Sequence, residues 1–168
     1  GLGDVYKRQG LVATHPYSSR WWQWLLDLRP ILYYLSYGDG TVSTIGAFVN
    51  PLLCWGGLLA LPVLAYRAWK RDRTALFLLV GYLAQVLPWV FISRLTFEYH
   101  YFAATLFLVL ALGYVFDRLR RRGYLGIVYA FTAANGVLFA LFYPVLTGVT
   151  IPRDYAWNVL KWLPDWPF

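Results

Sequence analysis

The chain has 168 residues, 60% of them hydrophobic and only 14% charged, whereas a water-soluble domain is nearer half apolar and a quarter charged. The net charge of +7 does not indicate nucleic acid, because the basic residues sit in the gaps between long apolar runs. Cys54 is the lone cysteine and His15 and His100 are the only histidines, which argues against a disulfide framework and a multi-histidine metal site. No Gly-rich phosphate loop, zinc-spaced cysteine pair or serine nucleophile elbow is present, and no cofactor is implied.

In chain order, residues 1–9 (GLGDVYKRQ) read as a non-native, adapter-like stretch. With no Met anywhere, the chain reads as a piece of a longer protein. Residues 10–47 read as an interfacial segment. In RWWQWLLDL, Arg20, Gln23 and Asp27 share one helical face, and Trp21, Trp24, Leu25 and Leu28 the other. That split suits a short helix in the headgroup layer, ended by Arg29-Pro30. Tyr33, Tyr34 and Tyr37 follow, with a turn at Gly38-Asp39-Gly40.

Four apolar runs come next, at about 48–66, 74–92, 99–116 and 124–146, each near the ~20 residues that cross ~30 Å of hydrocarbon. Asn50-Pro51 caps the first, and Pro62 lies within it. Residues 48–147 are therefore expected to form a four-helix transmembrane module, and the fold is all-α. Gly56 with Ala60, and Gly136 with Ala140, are small-residue pairs that permit close helix contact. Residues 148–168, with Trp157, Trp162 and Trp166, read as an aromatic tail at the interface.

Basic residues orient this module. Arg67, Lys70, Arg71 and Arg73 separate the first two runs, and Arg118, Arg120, Arg121 and Arg122 the last two. Positive-inside bias puts both loops in the cytoplasm, so both ends and the SRLTFEYHYF loop (93–102) face outward. Ionisable groups at a membrane edge are costly and mark function. Arg94 suits a lipid phosphate, which a guanidinium grips bidentately. His100 adds a donor or proton shuttle, and Tyr99 and Tyr101 add hydroxyls and aromatic faces. The competing reading is an arginine that snorkels within an aromatic belt. Glu98 reads as the ion-pair partner of Arg94, and Arg29 and Asp39 as solvated surface. Gln85 is the main polar residue within the runs, which disfavours a transporter.

The order HPYSSRWWQWLLDLRPILYY, a Gly-Asp turn, Asn50-Pro51 with Trp55, RAWKRDRTALFLLVGYLAQVLPW and Arg-x-x-Phe-x-Tyr-His-Tyr resembles the C-terminal four-span module of the protein O-mannosyltransferases, in particular the bacterial members. The resemblance implies a GT-C-type membrane glycosyltransferase that moves mannose, with inversion, from a polyprenyl phosphate to Ser or Thr of acceptor proteins outside the cytoplasm. It places Arg94, Tyr99, His100 and Tyr101 near the donor lipid, with Arg29 and Glu98 as secondary candidates. It implies that the catalytic acidic pair lies in the missing N-terminal membrane half, so no catalytic residue is assigned here. Leu25, and Ala103 with Ala104, stand where the family often has proline. The alternatives are another lipid-linked sugar transferase, acting on lipid A or cell-wall glycan, and a non-enzymatic membrane subunit.

Overall fold

The computed structural model describes residues 15–168; the stretch 1–9 lies outside them. Helix α1 (Trp21–Leu25) opens with the Gln23 side-chain oxygen accepting from the Arg20 amide at 2.8 Å, which satisfies an N–H beside the helix start. It closes earlier than Arg29-Pro30. The Leu28 amide donates to the Gln23 carbonyl (2.9 Å) and the Asp27 amide to the Trp24 carbonyl (3.2 Å). These two bonds form a Schellman closure, with Asp27 in the left-handed region at φ 56°, which Asp tolerates better than most residues. The turn takes Asp27 off the expected polar face and buries it completely.

The chain then forms a hairpin of β1 (Ile31–Tyr37) and β2 (Thr41–Ala47), paired antiparallel from Ile31–Ala47 to Tyr37–Val42. Strand β3 (Ile151–Pro152) adds beside Thr41 and Val42, giving the order β1-β2-β3. The helical expectation holds for the spans, but this small sheet departs from it. Its signals were the β-branched and aromatic residues on either side of Gly-Asp-Gly. Val42, Thr44 and Gly46 alternate as buried positions along β2.

Helices α2 (Pro51–Trp69), α3 (Arg73–Val90), α4 (Phe102–Arg121) and α5 (Leu125–Thr147) are the four spans, each long and apolar enough to cross a membrane. A 3₁₀ turn, Glu98–Tyr101, leads into α4. Asn50 caps α2 by accepting from the Leu52 amide (3.1 Å), and its amide group donates to the Asn135 carbonyl of α5 (3.1 Å). Helices α2, α3 and α4 pack against one another. A Cβ on Gly56, of the first small-residue pair, would lie 2.7 Å from the Phe131 ring of α5, and one on Gly57 2.9 Å from the Leu108 Cβ of α4, so glycine sets how closely these helices approach. Gly136 faces open space instead, and the second small-residue pair makes no such contact. The tail, α6 (Arg153–Tyr155) and a π turn at Ala156–Leu160, returns to bury Trp166 and Phe168 beside Phe142 and Phe48. Trp166 is thus core rather than belt, whereas Trp157 is exposed.

Both basic loops close the same way. Asp72 and Arg71 amides bond the Arg67 (3.0 Å) and Ala68 (2.9 Å) carbonyls, and Tyr124 and Gly123 amides bond those of Leu119 (2.9 Å) and Arg120 (3.1 Å). The first loop is then tied to α4. Asp72 caps α3 by accepting from the Thr74 (3.0 Å) and Ala75 (3.2 Å) amides, and also accepts from the Tyr114 hydroxyl of α4. Arg67 stands 3.9 Å away. The Tyr114 hydrogen bond, and then the capping amides, hold the Asp72 carboxyl below its ordinary range. Replacing Asp72 by Ala removes the cap and the inter-helix bond together. In the detergent-solubilised protein this is expected to lower the thermal midpoint by about 3–6 °C, with Asp72→Ser recovering part of the loss; an unchanged midpoint would refute the pinning role.

Candidate functional site

At the end of the bundle opposite the basic loops, two segments are tied side by side. The Ser19 amide donates to the Thr96 carbonyl (2.9 Å), and the Thr96 hydroxyl donates to the Ser19 carbonyl (2.5 Å). Ser19 Oγ accepts from the Trp24 indole N–H (2.7 Å), which seats Trp24 in the core beside Val49, Cys54 and Tyr101. The clamp leaves a cavity of about 610 Å³ between the start of α1 and the loop after α3. Arg20, Arg29 and Arg94 line it, with Trp21, Trp89 and Ser18 among its other walls. None of the three guanidiniums meets a carboxylate among the described residues. Arg29 Nη2 donates to the Pro16 carbonyl at 2.6 Å, which fixes its direction. Among the described residues, three cations without a carboxylate partner thus line one cavity, a charge pattern suited to an anion. The 410 Å³ cavity at the basic end differs, because Asp72 and Asp117 line it along with its arginines, and Asp117 pairs with Arg120 (2.8 Å) and Arg121 (2.9 Å).

The structure brings Arg94 and Arg29 together and adds Arg20, which sequence reasoning treated only as part of a polar helix face. His100, Tyr99 and Tyr101 do not line this cavity. The His100 ring stacks against Tyr99 (4.3 Å) and packs by Trp89 (4.4 Å), and its Nδ1 faces the Phe97 backbone. Tyr99 is exposed. Tyr101 is buried in the bundle, its hydroxyl 2.6 Å from that of Tyr82.

Glu98 is not an ion-pair partner of Arg94. It is fully buried, and its carboxyl meets that of Asp27. Among the described residues no donor reaches either carboxyl in good hydrogen-bond geometry, although the Val49 backbone amide lies near both. Two ionised carboxylates accept only, so their contact becomes a hydrogen bond when a proton lies between them. Burial pushes Asp27 up to about 6, offset in part by the hydrogen bond with Glu98 and the Val49 amide. The pair is sealed beneath Cys54, whose thiol approaches the Leu25 carbonyl (3.2 Å), and Trp166, whose indole N–H donates to the Asp27 carbonyl (2.9 Å). Reading each carboxyl from its neighbours in sequence missed this contact.

A four-span helical membrane module with an arginine-lined cavity at one end is the class that fold and site define. Residues 5–166 match the family described as the C-terminal four TMM region of protein-O-mannosyltransferase, and the chain belongs to that family. It is 36% identical over 90% of its length to the polyprenol-phosphate-mannose–protein mannosyltransferase of Mycobacterium tuberculosis, covering 32% of that protein. It is 33% identical over 90% of its length to the enzyme of the same name from Mycolicibacterium smegmatis, covering 33% of it. The chain thus spans about a third of the length of these relatives. The fold matches a chain of the Saccharomyces cerevisiae protein O-mannosyltransferase Pmt1-Pmt2 complex bound to the sugar donor, with TM-score 0.76, 21% identity, 99% of this chain covered and 26% of that one.

The raised Asp27 sets a pH dependence. Its folded state binds the proton more tightly than the unfolded chain, so the contribution to stability is fully present below about 4 and is lost as pH rises through about 6. The detergent-solubilised protein is expected to unfold at a higher temperature at pH 5 than at pH 7.5. Asp27→Asn should flatten that difference and raise the midpoint at pH 7.5 by about 2–4 °C. A wild-type midpoint with no pH trend, or an unaltered trend in the variant, would rule out the shared-proton contact.

Proposed function

We propose that this chain is the C-terminal membrane part of an enzyme that moves mannose from polyprenol-phosphate-mannose to hydroxyls of proteins at the outer face of the membrane, and that Arg94, with Arg29 and Arg20, holds the phosphate of the lipid donor. The observation that carries this reading is the convergence on one cavity beside the spans of three arginines that meet no carboxylate among the described residues. Phosphate leaves in this transfer, so cations placed at its oxygens stabilise charge as it develops. A bidentate guanidinium also orients the sugar carbon for attack from the opposite side. The names of the relatives support the donor and acceptor classes, and the asymmetry of basic residues supports the outward placement of the cavity.

A hydroxyl acceptor must also lose a proton to a base. We place that base outside these 168 residues: Asp27 and Glu98 are sealed from solvent and cannot meet an acceptor, and among the described residues no carboxylate lines the arginine cavity. His100 and Tyr99 then act at the second edge of the loop: their stacked rings stiffen the Arg94 loop and offer an aromatic face to the polyprenyl chain or sugar.

The test uses the full-length enzyme with varied donor concentration. Arg94→Ala should raise the KM for the lipid-linked donor by about 10- to 100-fold, the loss of one charge-assisted contact, with little change in the KM for acceptor. Arg94→Lys should restore only part of it. Normal donor kinetics in a normally expressed Arg94→Ala enzyme would overturn the assignment.

A further inference from the structure

Strand β1 carries a surface that the donor site does not use. Its sequence is Ile-Leu-Tyr-Tyr-Leu-Ser-Tyr, seven residues with no charge, no proline and no glycine. Sheet edges are usually blunted by such residues or covered, because an unpaired edge recruits another strand. β1 is an edge of the sheet, and among the described residues it pairs with β2 alone. Gly38 and Thr41 exchange backbone bonds at 3.0 and 3.5 Å. Alternation from that pair along the register turns the N–H and C=O groups of Leu35 and Tyr37 outward. The side chains of Tyr33, Tyr34 and Tyr37 are exposed along the same strand, and the Arg153 guanidinium lies 4.6 Å over the Tyr37 ring, which steadies the far end.

The strand is also continuous with the arginine cavity. Ile31 opens β1 just after Arg29 and Pro30, and Arg29 lines the cavity. Leu35 therefore stands ~20 Å from Arg29 at most, about six residues of extended chain. An enzyme whose acceptors are many proteins cannot depend on one side-chain pattern. A strand edge reads backbone, which all acceptors share, and leaves the side chains free.

We propose that the free edge of β1 takes up the acceptor polypeptide as an added strand, through the outward backbone groups of Leu35 and Tyr37, and leads an extended Ser- or Thr-bearing segment toward the arginine cavity. This rests on the proposed transfer to protein. It adds the surface that holds the acceptor and the chemistry by which it does so: main-chain hydrogen bonds, with the three tyrosines packing against alternate acceptor side chains.

The test uses the full-length enzyme, polyprenol-phosphate-mannose and a synthetic Ser/Thr peptide. Leu35→Pro deletes an outward N–H and leaves the β2 pairing partners in place. It should raise the peptide KM about 10-fold with the donor KM unchanged, whereas Ser36→Pro, which breaks the pair with Ser43, should lower the thermal midpoint. In parallel, Tyr37→p-benzoylphenylalanine in the otherwise native enzyme should photo-cross-link to the peptide, and a non-hydroxylated peptide in excess should compete. An unchanged peptide KM in a folded Leu35→Pro enzyme overturns the proposal. So does cross-linking only to upstream residues of the same polypeptide or to a second copy of it, a result that holds even if Leu35→Pro fails to fold. Peptide cross-linking by the Tyr37 variant, with no mannose transfer by the wild-type enzyme, would overturn the activity while supporting the edge.

Discussion

The Schellman turn at Asp27 is the constraint on which the architecture of the cavity end hangs. The left-handed backbone there stops α1, turns its carboxyl inward against Glu98 and leaves its carbonyl to accept the Trp166 indole N–H. One residue thereby joins the pre-span helix, the turn before α4 and the C-terminal tail. The same reversal sends Arg29 to the cavity wall and starts β1 two residues later. A longer helix, as Arg29-Pro30 alone would allow, would carry Asp27 into solvent and leave Glu98 buried without its neighbour.

The two ends of the bundle use charge differently. At the basic end, carboxylates answer the arginines: Asp72 is capped, bonded to Tyr114 and near Arg67, and Asp117 pairs with Arg120 and Arg121. This arrangement locks helices together. At the other end Asp27 and Glu98 are withdrawn into the core as a pair that shares a burial site, and among the described residues no carboxylate lines the arginine cavity. Keeping the acids away from the cavity preserves its positive potential. The buried pair costs stability above about pH 6.

Much of this was legible in the sequence. Apolar run length and the loops between runs located four spans within a few residues of α2 to α5, because a bilayer demands continuous apolar helices and leaves little freedom. Asn50-Pro51 read as a cap and is one. Arg94 and Arg29 read as outer-face charges and line one cavity. The hairpin was less legible: strands of mixed aromatic and polar residues beside a membrane also satisfy the composition of an aromatic belt, and only pairing distinguishes them. Trp166 and Trp157 look alike in sequence, yet one is core and the other exposed, because the path of the tail decides which indole meets Phe48 and Phe142.

The sequence by itself determined the membrane class, the number of spans, the positions of the basic loops along the chain and the family resemblance, since each depends on composition and spacing along the chain. The tertiary structure alone decided which charges meet. Asp27 and Glu98 are separated by 71 positions (98 − 27) and touch because the Ser19–Thr96 clamp and the Asp27 turn fold one segment onto the other. Tyr101 met Tyr82 rather than the cavity, and Arg20 joined Arg94, for the same reason: helix phase and turn geometry set side-chain direction, and neither is written in the residue type.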